Sequence, residues 1–224
     1  MNRHQVFGLE KGKRKMTVVI VDYGSGNLRS AQKAFERVSG ENGRKICVSN
    51  EVSDVLRASH IVLPGVGSFK SAMKKLTDLK IIFEIKNFLE KNSNNILVGI
   101  CLGMQLFFDE SLEFGYTKGT GLIRGKVLPF SKKKCKTVPH MNWNSIKIKE
   151  KTKLFKRYSS KKFYFVHSYY CQPFDLNQSV SQTNHNGQKF CSMVRKENII
   201  GLQFHPEKSG IDGINLLQSI NKLT

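Results

Sequence analysis

The sequence has few acidic residues, few prolines and no long hydrophobic run. Its 224 residues include only 17 Asp and Glu against 37 Lys and Arg, which gives a formal net charge of +20 at pH 7. The longest apolar stretches, at residues 18–21 and 96–100, are far shorter than the roughly 18 residues that a membrane-spanning helix needs. With 15 Phe, 6 Tyr and only 5 Pro, the composition is typical of a folded domain rather than a disordered chain.

The positive charge is concentrated in two segments. Residues 1–16 carry a net +4, and residues 132–162 contain twelve Lys or Arg against Glu150 alone, a net +11, so together they hold +15 of the +20. A basic surface by itself favours an anionic partner such as nucleic acid. The excess is mostly Lys, and no zinc-finger, K-homology or RNA-recognition motif accompanies it. A solvated surface is therefore preferred, and a basic anion-binding module stays open as an alternative.

Cysteine usage and the first residues indicate a cytoplasmic protein. The five cysteines are odd in number and never two residues apart, which predicts neither a zinc site nor a disulfide framework: Cys47, Cys101, Cys135, Cys171 and Cys191. Residues 1–16 are predicted to be a polar, basic extension that lacks the apolar core of a signal peptide. Met16 directly precedes the first predicted strand, and translation could start there.

The hydrophobic pattern predicts one α/β domain over residues 17–224. In the first half, strands are predicted at residues 17–22, 45–49, 60–63 and 96–100, and amphipathic helices at 28–38, 52–57, 69–76, 81–91 and 102–109. In the second half, strands are predicted at 126–130, 145–149, 163–166, 180–184, 190–196 and 199–203, followed by a helix at 211–223. We therefore expect a mostly parallel central sheet flanked by helices, with an antiparallel extension.

A nucleophile-elbow pattern lies where the fourth predicted strand meets a helix. The sequence is Gly99-Ile100-Cys101-Leu102-Gly103. In such an elbow the central residue occupies a strained turn, and flanking glycines leave room for close backbone approach. The following helix N-terminus would favour the thiolate. A buried structural cysteine is the alternative, and this segment alone leaves the two interpretations about even.

Two further segments favour catalysis. His205, at the end of the last strand, could accept the thiol proton and later protonate a leaving amine, while Glu207 orients its ring. A glycine-rich turn at residues 63–67 could aim backbone N–H groups, with that of Leu102, at a developing oxyanion. Taken alone, this segment favours an ordinary Pro-Gly turn over an oxyanion site.

These motifs together resemble the class I glutamine amidotransferases, which have a flavodoxin-like α/β fold. More narrowly, the chain is similar to the glutaminase subunits of imidazole glycerol phosphate synthase, an enzyme of histidine biosynthesis. The matching segments are residues 22–30, 63–69 with 72–73, 99–106, 138–144, 164–170 and 203–209. The resemblance extends over residues 17–224, and only the extension at 1–16 has no counterpart.

The resemblance implies a catalytic triad of Cys101, His205 and Glu207. Cys101 would attack the side-chain amide of glutamine, release ammonia and leave a glutamyl thioester for water to hydrolyse. The resemblance also implies an oxyanion hole and a set of substrate-binding residues. These are Gly65, Val66, Gly67 and Leu102 for the oxyanion, and Gln105, Glu113, His167, Ser168 and Tyr169 for glutamine. No metal and no cofactor is predicted.

The family implies a heterodimer in which ammonia passes to a (β/α)₈-barrel cyclase. That cyclase makes imidazole glycerol phosphate and aminoimidazole carboxamide ribotide. We expect the barrel to be a separate chain, because 224 residues leave no room for about 250 more. The interface residues carried over from the family are Asn27, Pro139, His140, Met141, Trp143 and Asn144. Asn142 stands where the family has glycine, an acceptable exchange if the backbone there has a positive φ.

Three alternatives stay open. A paralogous glutaminase could supply ammonia to another acceptor, such as a sugar of a surface polysaccharide, and gene neighbourhood would separate the two pathways. A stand-alone γ-glutamyl hydrolase would act without a partner. A basic module would instead bind DNA or RNA with a strong dependence on salt.

Overall fold

The computed structural model describes residues 17–39, 43–131, 133, 135–149 and 153–223, and the predicted extension at residues 1–16 lies outside them. The strands in the described residues are β1 (Thr17–Val21), β2 (Lys45–Ser49), β3 (His60–Gly65), β4 (Ile96–Cys101), β5 (Phe108–Ser111), β6 (Thr117–Lys118), β7 (Ile123–Pro129), β8 (His140–Ser145), β9 (Lys147–Ile148), β10 (Lys162–His167), β11 (Tyr169–Pro173), β12 (Ser179–His185), β13 (Gln188–Lys196) and β14 (Ile199–Leu202). The α-helices are α1 (Leu28–Ser39), α2 (Val52–Arg57), α3 (Phe69–Asp78), α4 (Ile81–Lys91), α5 (Leu102–Gln105) and α6 (Gly210–Asn221). Short 3₁₀ helices cover Lys153–Tyr158, Leu176–Gln178 and Pro206–Lys208.

One large sheet organises the molecule. Its strands follow the order β2-β1-β3-β4-β14-β13-β11-β7-β5-β6, and β12 pairs with both β13 and β9. The pairs from β2 to β14 are all parallel, whereas β13 and β11 are antiparallel to their neighbours. Strands β8 and β10 form a separate antiparallel pair.

The parallel strands are buried on both faces because helices cover each side. Phe35 of α1 and Ile220 of α6 pack with one face of the sheet, and Phe69 of α3 and Phe88 of α4 pack with the other. All four side chains are essentially inaccessible to solvent. Burying a side chain of this size stabilises the fold by roughly 1.5–3 kcal/mol, so these faces fix the position of the sheet.

The predicted fold class is confirmed, with one element wrong in kind. The helix expected over residues 102–109 ends at Gln105, and residues 108–111 form β5 at the far side of the sheet. Phe107 and Phe108 are fully buried, and the N–H of Ile123 pairs with the carbonyl of Phe107. Burial of two consecutive aromatic residues therefore overrides the helical periodicity.

Other differences are small or local. The strand expected at residues 145–149 is divided between the end of β8 and the short β9, and β11 was not predicted. Among the described residues, no helix combines the length and the apolar character needed to cross a bilayer.

Candidate active site

The candidate site lies where three neighbouring strands end. Strands β3, β4 and β14 are adjacent and parallel, and Gly65 of β3 pairs in register with Cys101 of β4. From Leu202, the last residue of β14, the chain continues directly to His205. Because parallel strands end at the same edge of a sheet, segments distant in sequence meet there, as ligand sites in open α/β sheets do.

Cys101 occupies a strained turn between β4 and α5. Its backbone has φ 55° and ψ −106°, a region that a non-glycine residue adopts only when its surroundings enforce it. A Cβ on Gly99 would lie 2.6 Å from the backbone of Gly103, and one on Gly103 would lie 1.8 Å from the carbonyl oxygen of Leu63. The two glycines are therefore required by close packing of the backbone, as the elbow pattern predicts.

The helix after the elbow is shorter than expected. Because α5 has four residues, its dipole at the sulfur is weaker than the predicted eight-residue helix would give. Stabilisation of a thiolate must therefore come mainly from side chains around Cys101.

His205 and Glu207 form a buried pair beside the elbow. Nδ1 of His205 lies 2.7 Å from Oε1 of Glu207, and the two side chains are 1% and 0% exposed. The His205 main chain is held at both ends, since its N–H donates to the carbonyl of Tyr164 and its carbonyl accepts the Ser209 hydroxyl. Because Nδ1 is bonded to Glu207, Nε2 is the ring nitrogen that is available for proton transfer with Cys101 or substrate.

The electrostatic surroundings favour a protonated His205. Burial lowers the pKa of the ring, but interactions with Cys101 and Glu207 outweigh it and raise the pKa to about 10. Nε2 has no hydrogen-bond partner of acceptable geometry among the described residues. A free Nε2 beside the sulfur can serve a proton-transfer step, because such contacts commonly tighten only when substrate binds.

Two polar groups contact the sulfur of Cys101, which is 5% exposed. The thiol is 3.8 Å from the carbonyl oxygen of Val166, to which it can donate, and Nε2 of Gln203 donates to Sγ at 3.7 Å. The first contact suits the thiol and the second suits the thiolate.

The predicted oxyanion segment runs beside the elbow. Gly65 is buried and level with Cys101, whereas Val66 is 39% exposed and Gly67 has φ 109°. The hydroxyls of Tyr23 and Ser25 both donate to the carbonyl oxygen of Pro64, at 2.7 and 2.9 Å. These two bonds hold the segment at its start, and Leu102 begins α5 on the other side of the sulfur.

Three of the residues carried over as glutamine ligands, namely Glu113, Gln105 and His167, interact with a fourth, Tyr169. Glu113 accepts the backbone N–H of Phe69 at the start of α3, and burial together with Glu113 raises the pKa of the neighbouring Tyr169 phenol. Gln105 is buried, and its Nε2 donates to the Tyr169 carbonyl at 3.1 Å and to Oε1 of Gln203 at 3.3 Å. Ser168 is half-buried between β10 and β11.

His167 lies in an aromatic cluster rather than on an open surface. Its ring contacts Phe130, Phe165 and Phe190, and both ring nitrogens are bonded within the protein. Burial, with smaller repulsions from neighbouring histidines, lowers its pKa to about 3, so the ring is neutral at physiological pH. A direct bond from a ring nitrogen to glutamine would require one of these contacts to break.

The carried-over interface segment is exposed at residues 139 and 141–143, and His140 is its one buried residue. Met141 and Trp143 are 62% and 47% exposed, whereas His140 is 1% exposed. The His140 ring stacks on His185 with centroids 4.2 Å apart and therefore points into the core. Asn142 lies in β8 opposite Phe165, an extended position, so the positive φ considered for it is not required.

The match to known proteins decides the family. Residues 19–218 match the family described as "Glutamine amidotransferase class-I". The chain belongs to this family. The elbow and the His205–Glu207 pair thus lie in a class-I glutamine amidotransferase, and the resemblance stated from the motifs is confirmed.

Several relatives with similar sequences carry the name "Imidazole glycerol phosphate synthase subunit HisH". The protein from Chlorobium luteolum is 41% identical, covering 90% of this chain and 98% of the relative. That from Methanocaldococcus jannaschii is also 41% identical, covering 91% and 98%.

Solved structures share the fold at low identity. A "Crystal structure of glutamine amidotransferase" aligns with a TM-score of 0.65 and 13% identity over 90% of this chain and 96% of that one. A "putative gmp synthase subunit a protein" from Thermoplasma acidophilum aligns with a TM-score of 0.60 and 16% identity, covering 92% and 93%.

Two polar residues at this amidotransferase site were not predicted there. Asn27, carried over as an interface residue, donates from Nδ2 to Oε1 of Glu207, and Gln203 donates to the Cys101 sulfur. Both residues lie in segments that match the family, at residues 22–30 and 203–209. The sequence does not show with which side chains they form hydrogen bonds. Among the described residues, no group of three or more His, Cys, Asp or Glu side chains is arranged to hold a metal ion.

Proposed function

We propose that this chain hydrolyses glutamine to glutamate and ammonia through a thioester on Cys101. The observation that carries this proposal is the geometry at the strand ends. A strained Cys101 elbow lies beside a buried His205 whose Nδ1 is 2.7 Å from Glu207. This is the nucleophile, base and orienting group of a catalytic triad.

In the first step the thiolate of Cys101 attacks the side-chain carbonyl carbon of glutamine. The negative charge moves to the amide oxygen, which the backbone N–H groups of residues 65–67 and Leu102 would stabilise. When the intermediate collapses, the carbon–nitrogen bond breaks and the leaving nitrogen takes the proton from Nε2 of His205. Ammonia leaves and a neutral imidazole stays beside the glutamyl thioester.

In the second step water resolves the thioester. Neutral His205 accepts a proton from the water, and the hydroxide attacks the thioester carbonyl. The carbon–sulfur bond then breaks, which releases glutamate and regenerates the thiolate and the imidazolium. Glu207 keeps Nδ1 protonated throughout and holds the ring in one orientation.

The substrate's polar ends would meet the groups around α3 and α5. The Glu113 carboxylate suits the glutamine ammonium, and Gln105, Ser168 and Tyr169 would complete the glutamine site, as the family resemblance implies. His167 would hold Tyr169 in place through the hydrogen bond from its Nδ1 to the Tyr169 carbonyl.

The chain is the glutaminase subunit of an imidazole glycerol phosphate synthase in histidine biosynthesis. The common name of relatives near 40% identity supports this assignment. We further propose that the ammonia acceptor is a (β/α)₈-barrel cyclase on a separate chain. The exposed Met141 and Trp143 offer it an apolar contact, with Pro139 and Asn144 close to them in the chain. The family resemblance adds Asn27 to this proposed interface. The absence of a nucleic-acid partner and a cytoplasmic location stay predictions.

The test is a glutaminase assay with and without a (β/α)₈-barrel cyclase of the same organism and its phosphorylated ligand. We expect glutamate release to rise sharply with both present and to vanish in Cys101→Ala. The matched control is Cys47→Ala, since Cys47 is a half-buried free thiol on β2 away from the elbow. Retained activity in Cys101→Ala would disprove the mechanism, and full turnover that no cyclase alters would contradict the synthase assignment.

A further inference from the structure

Gln203 contacts the nucleophile and has no role in the mechanism so far. It follows β14 directly, is completely buried and lies two residues before His205. Its Nε2 is 3.7 Å from Sγ of Cys101, and its Oε1 is 3.3 Å from Nε2 of Gln105. Burial of a primary amide without hydrogen bonds is costly, so these contacts explain how the site accommodates Gln203.

The direction of the amide follows from hydrogen-bond chemistry. The carbonyl of Tyr169 can only accept, so the group of Gln105 that faces it must be the NH₂. The same NH₂ faces Gln203, and therefore the oxygen of Gln203 must point toward Gln105. The NH₂ of Gln203 is then left to face the sulfur, so the hydrogen-bond network itself fixes the orientation of this amide.

A second series of hydrogen bonds, which begins at the half-buried Asn144, ends on the same Tyr169 carbonyl. The Tyr169 carbonyl also accepts from Nδ1 of His167 at 2.7 Å, so Nε2 of that neutral ring is an acceptor. Nδ1 of His140 donates to it at 3.1 Å, and Nε2 of His140 faces the Asn144 amide at 3.3 Å. Two chains of hydrogen bonds therefore end on the Tyr169 carbonyl, one through Gln105 and one through His167. Because this carbonyl can only accept, it determines which atom donates in every bond of both chains.

We propose that Gln203 is a positioning residue that donates a hydrogen bond to the Cys101 thiolate, with its direction fixed through Gln105 by the Tyr169 carbonyl. The inference deepens the proposed function and rests on it for the identity of the reaction. The Val166 carbonyl favours the thiol, since it accepts S–H, whereas Gln203 favours the thiolate. Gln203 therefore increases the fraction of the enzyme ready to attack and aims its sulfur.

The first measurement is the pH dependence of Cys101 alkylation by iodoacetamide, followed by mass spectrometry of the Cys101 peptide. This assay needs neither glutamine nor a partner. In Gln203→Met, a substitution of similar shape with no donor, we expect the midpoint of the profile to move upward by about one pH unit, since hydrogen bonds to charged groups are the strong ones. Gln105→Met removes the hydrogen bond that orients the Gln203 amide. It should shift the alkylation midpoint upward by less than Gln203→Met does.

The matched control is Gln188→Met. Gln188 is also a buried glutamine, but its oxygen accepts the N–H of Ser131 far from the elbow. It should lose comparable stability and keep the wild-type alkylation profile. In the glutaminase assay with the cyclase, Gln203→Met should lose about tenfold in kcat with a small change in KM, because the interaction strengthens with charge on the sulfur.

The outcomes separate the two proposals. An unshifted alkylation profile in Gln203→Met overturns the inference, whatever the glutaminase assay shows. A shifted profile in a chain that never hydrolyses glutamine supports the positioning role and contradicts the proposed function. If Gln203→Met does not fold, the shift in Gln105→Met decides, and a wild-type profile there overturns the inference.

Discussion

Asn27 and Glu207 are 180 residues apart in sequence, and the side-chain amide of Asn27 donates a hydrogen bond to the Glu207 carboxylate. The oxygen that accepts it, Oε1, is the one that lies 2.7 Å from Nδ1 of His205. The loop after β1 thereby contacts the candidate triad through Glu207. Asn27 has φ 76°, a left-handed conformation that asparagine tolerates better than most residues.

Removal of the Asn27 amide should slow catalysis. Asn27→Gly retains the backbone freedom that φ 76° requires while it deletes the donor to Glu207. We expect kcat to fall about tenfold, the equivalent of about 1.4 kcal/mol, with a smaller effect on KM. Steady-state glutaminase kinetics with the cyclase present would measure this loss.

The control for that substitution is Glu197→Gly. Glu197 also has a left-handed backbone, with φ 52°, but it lies in the exposed turn between β13 and β14, at the end of β14 away from His205. Its kinetics should match the wild type. Equal kinetics for Asn27→Gly and wild type would show that the Glu207 carboxylate needs no second donor.

The sequence indicates where the candidate triad residues lie, but not which side chains hydrogen-bond to them. Periodicity and the glycines at 99 and 103 determined where Cys101 would lie, because local geometry governs a strand-to-helix turn. The pair His205 and Glu207 was equally visible, since two residues of spacing at a strand end place both on one edge. These contacts are short-range in sequence and follow from local rules.

The missed features depend on long-range packing. Nothing local to Asn27 reveals Glu207, and nothing local to Gln203 reveals Gln105, because each contact requires the finished sheet order. The failure over residues 106–109 has the same origin. A helix was the better local choice there, and burial of Phe107 and Phe108 decided otherwise.

Gly103→Ala should disrupt the elbow. The added Cβ would lie 1.8 Å from the carbonyl oxygen of Leu63, a backbone atom that cannot move without displacing β3. We expect the free energy of unfolding to fall by more than about 3 kcal/mol, the range of severe overpacking. Gly187→Ala meets open space at φ 88° and should cost only about 1 kcal/mol of backbone strain. Urea unfolding of both variants would measure the difference, and equal losses would contradict the close-packing argument.

Acid should destabilise the fold through its buried histidines. Burial and the neighbouring His185 lower the pKa of His140 to about 4, and burial, mainly, lowers that of His167 to about 3. Below pH 6.5 these histidines become protonated in the unfolded chain but stay neutral in the folded protein. The free energy of unfolding therefore decreases as the pH falls from 6.5 toward 4. Each ring contributes a slope of up to about 1.4 kcal/mol per pH unit. Urea unfolding between pH 7 and pH 4.5 would follow this loss.

His140→Gln tests that assignment. Glutamine is uncharged at every pH, so the variant should lose part of the acid slope even if its stability at pH 7 is lower. The remaining slope would come from His167 and from buried His60, whose pKa burial and Arg44 lower to about 3. A slope identical to the wild type would assign acid sensitivity to groups other than this cluster.

The basic block, which is the Lys-rich segment at residues 132–162, should accelerate docking of the cyclase. Lys162 pairs with Ser145 in the two-stranded sheet that carries exposed Trp143, and Lys147 begins β9 just beyond it. If the cyclase presents an acidic face there, the association rate should fall at least about tenfold between low and high salt, because exposed charges are screened. Lys147→Gln with Lys162→Gln should remove part of that dependence, whereas Lys33→Gln with Lys86→Gln, on α1 and α4, should not. Stopped-flow mixing with the cyclase measures the rate, and a rate independent of salt would reduce the block to a solvated surface.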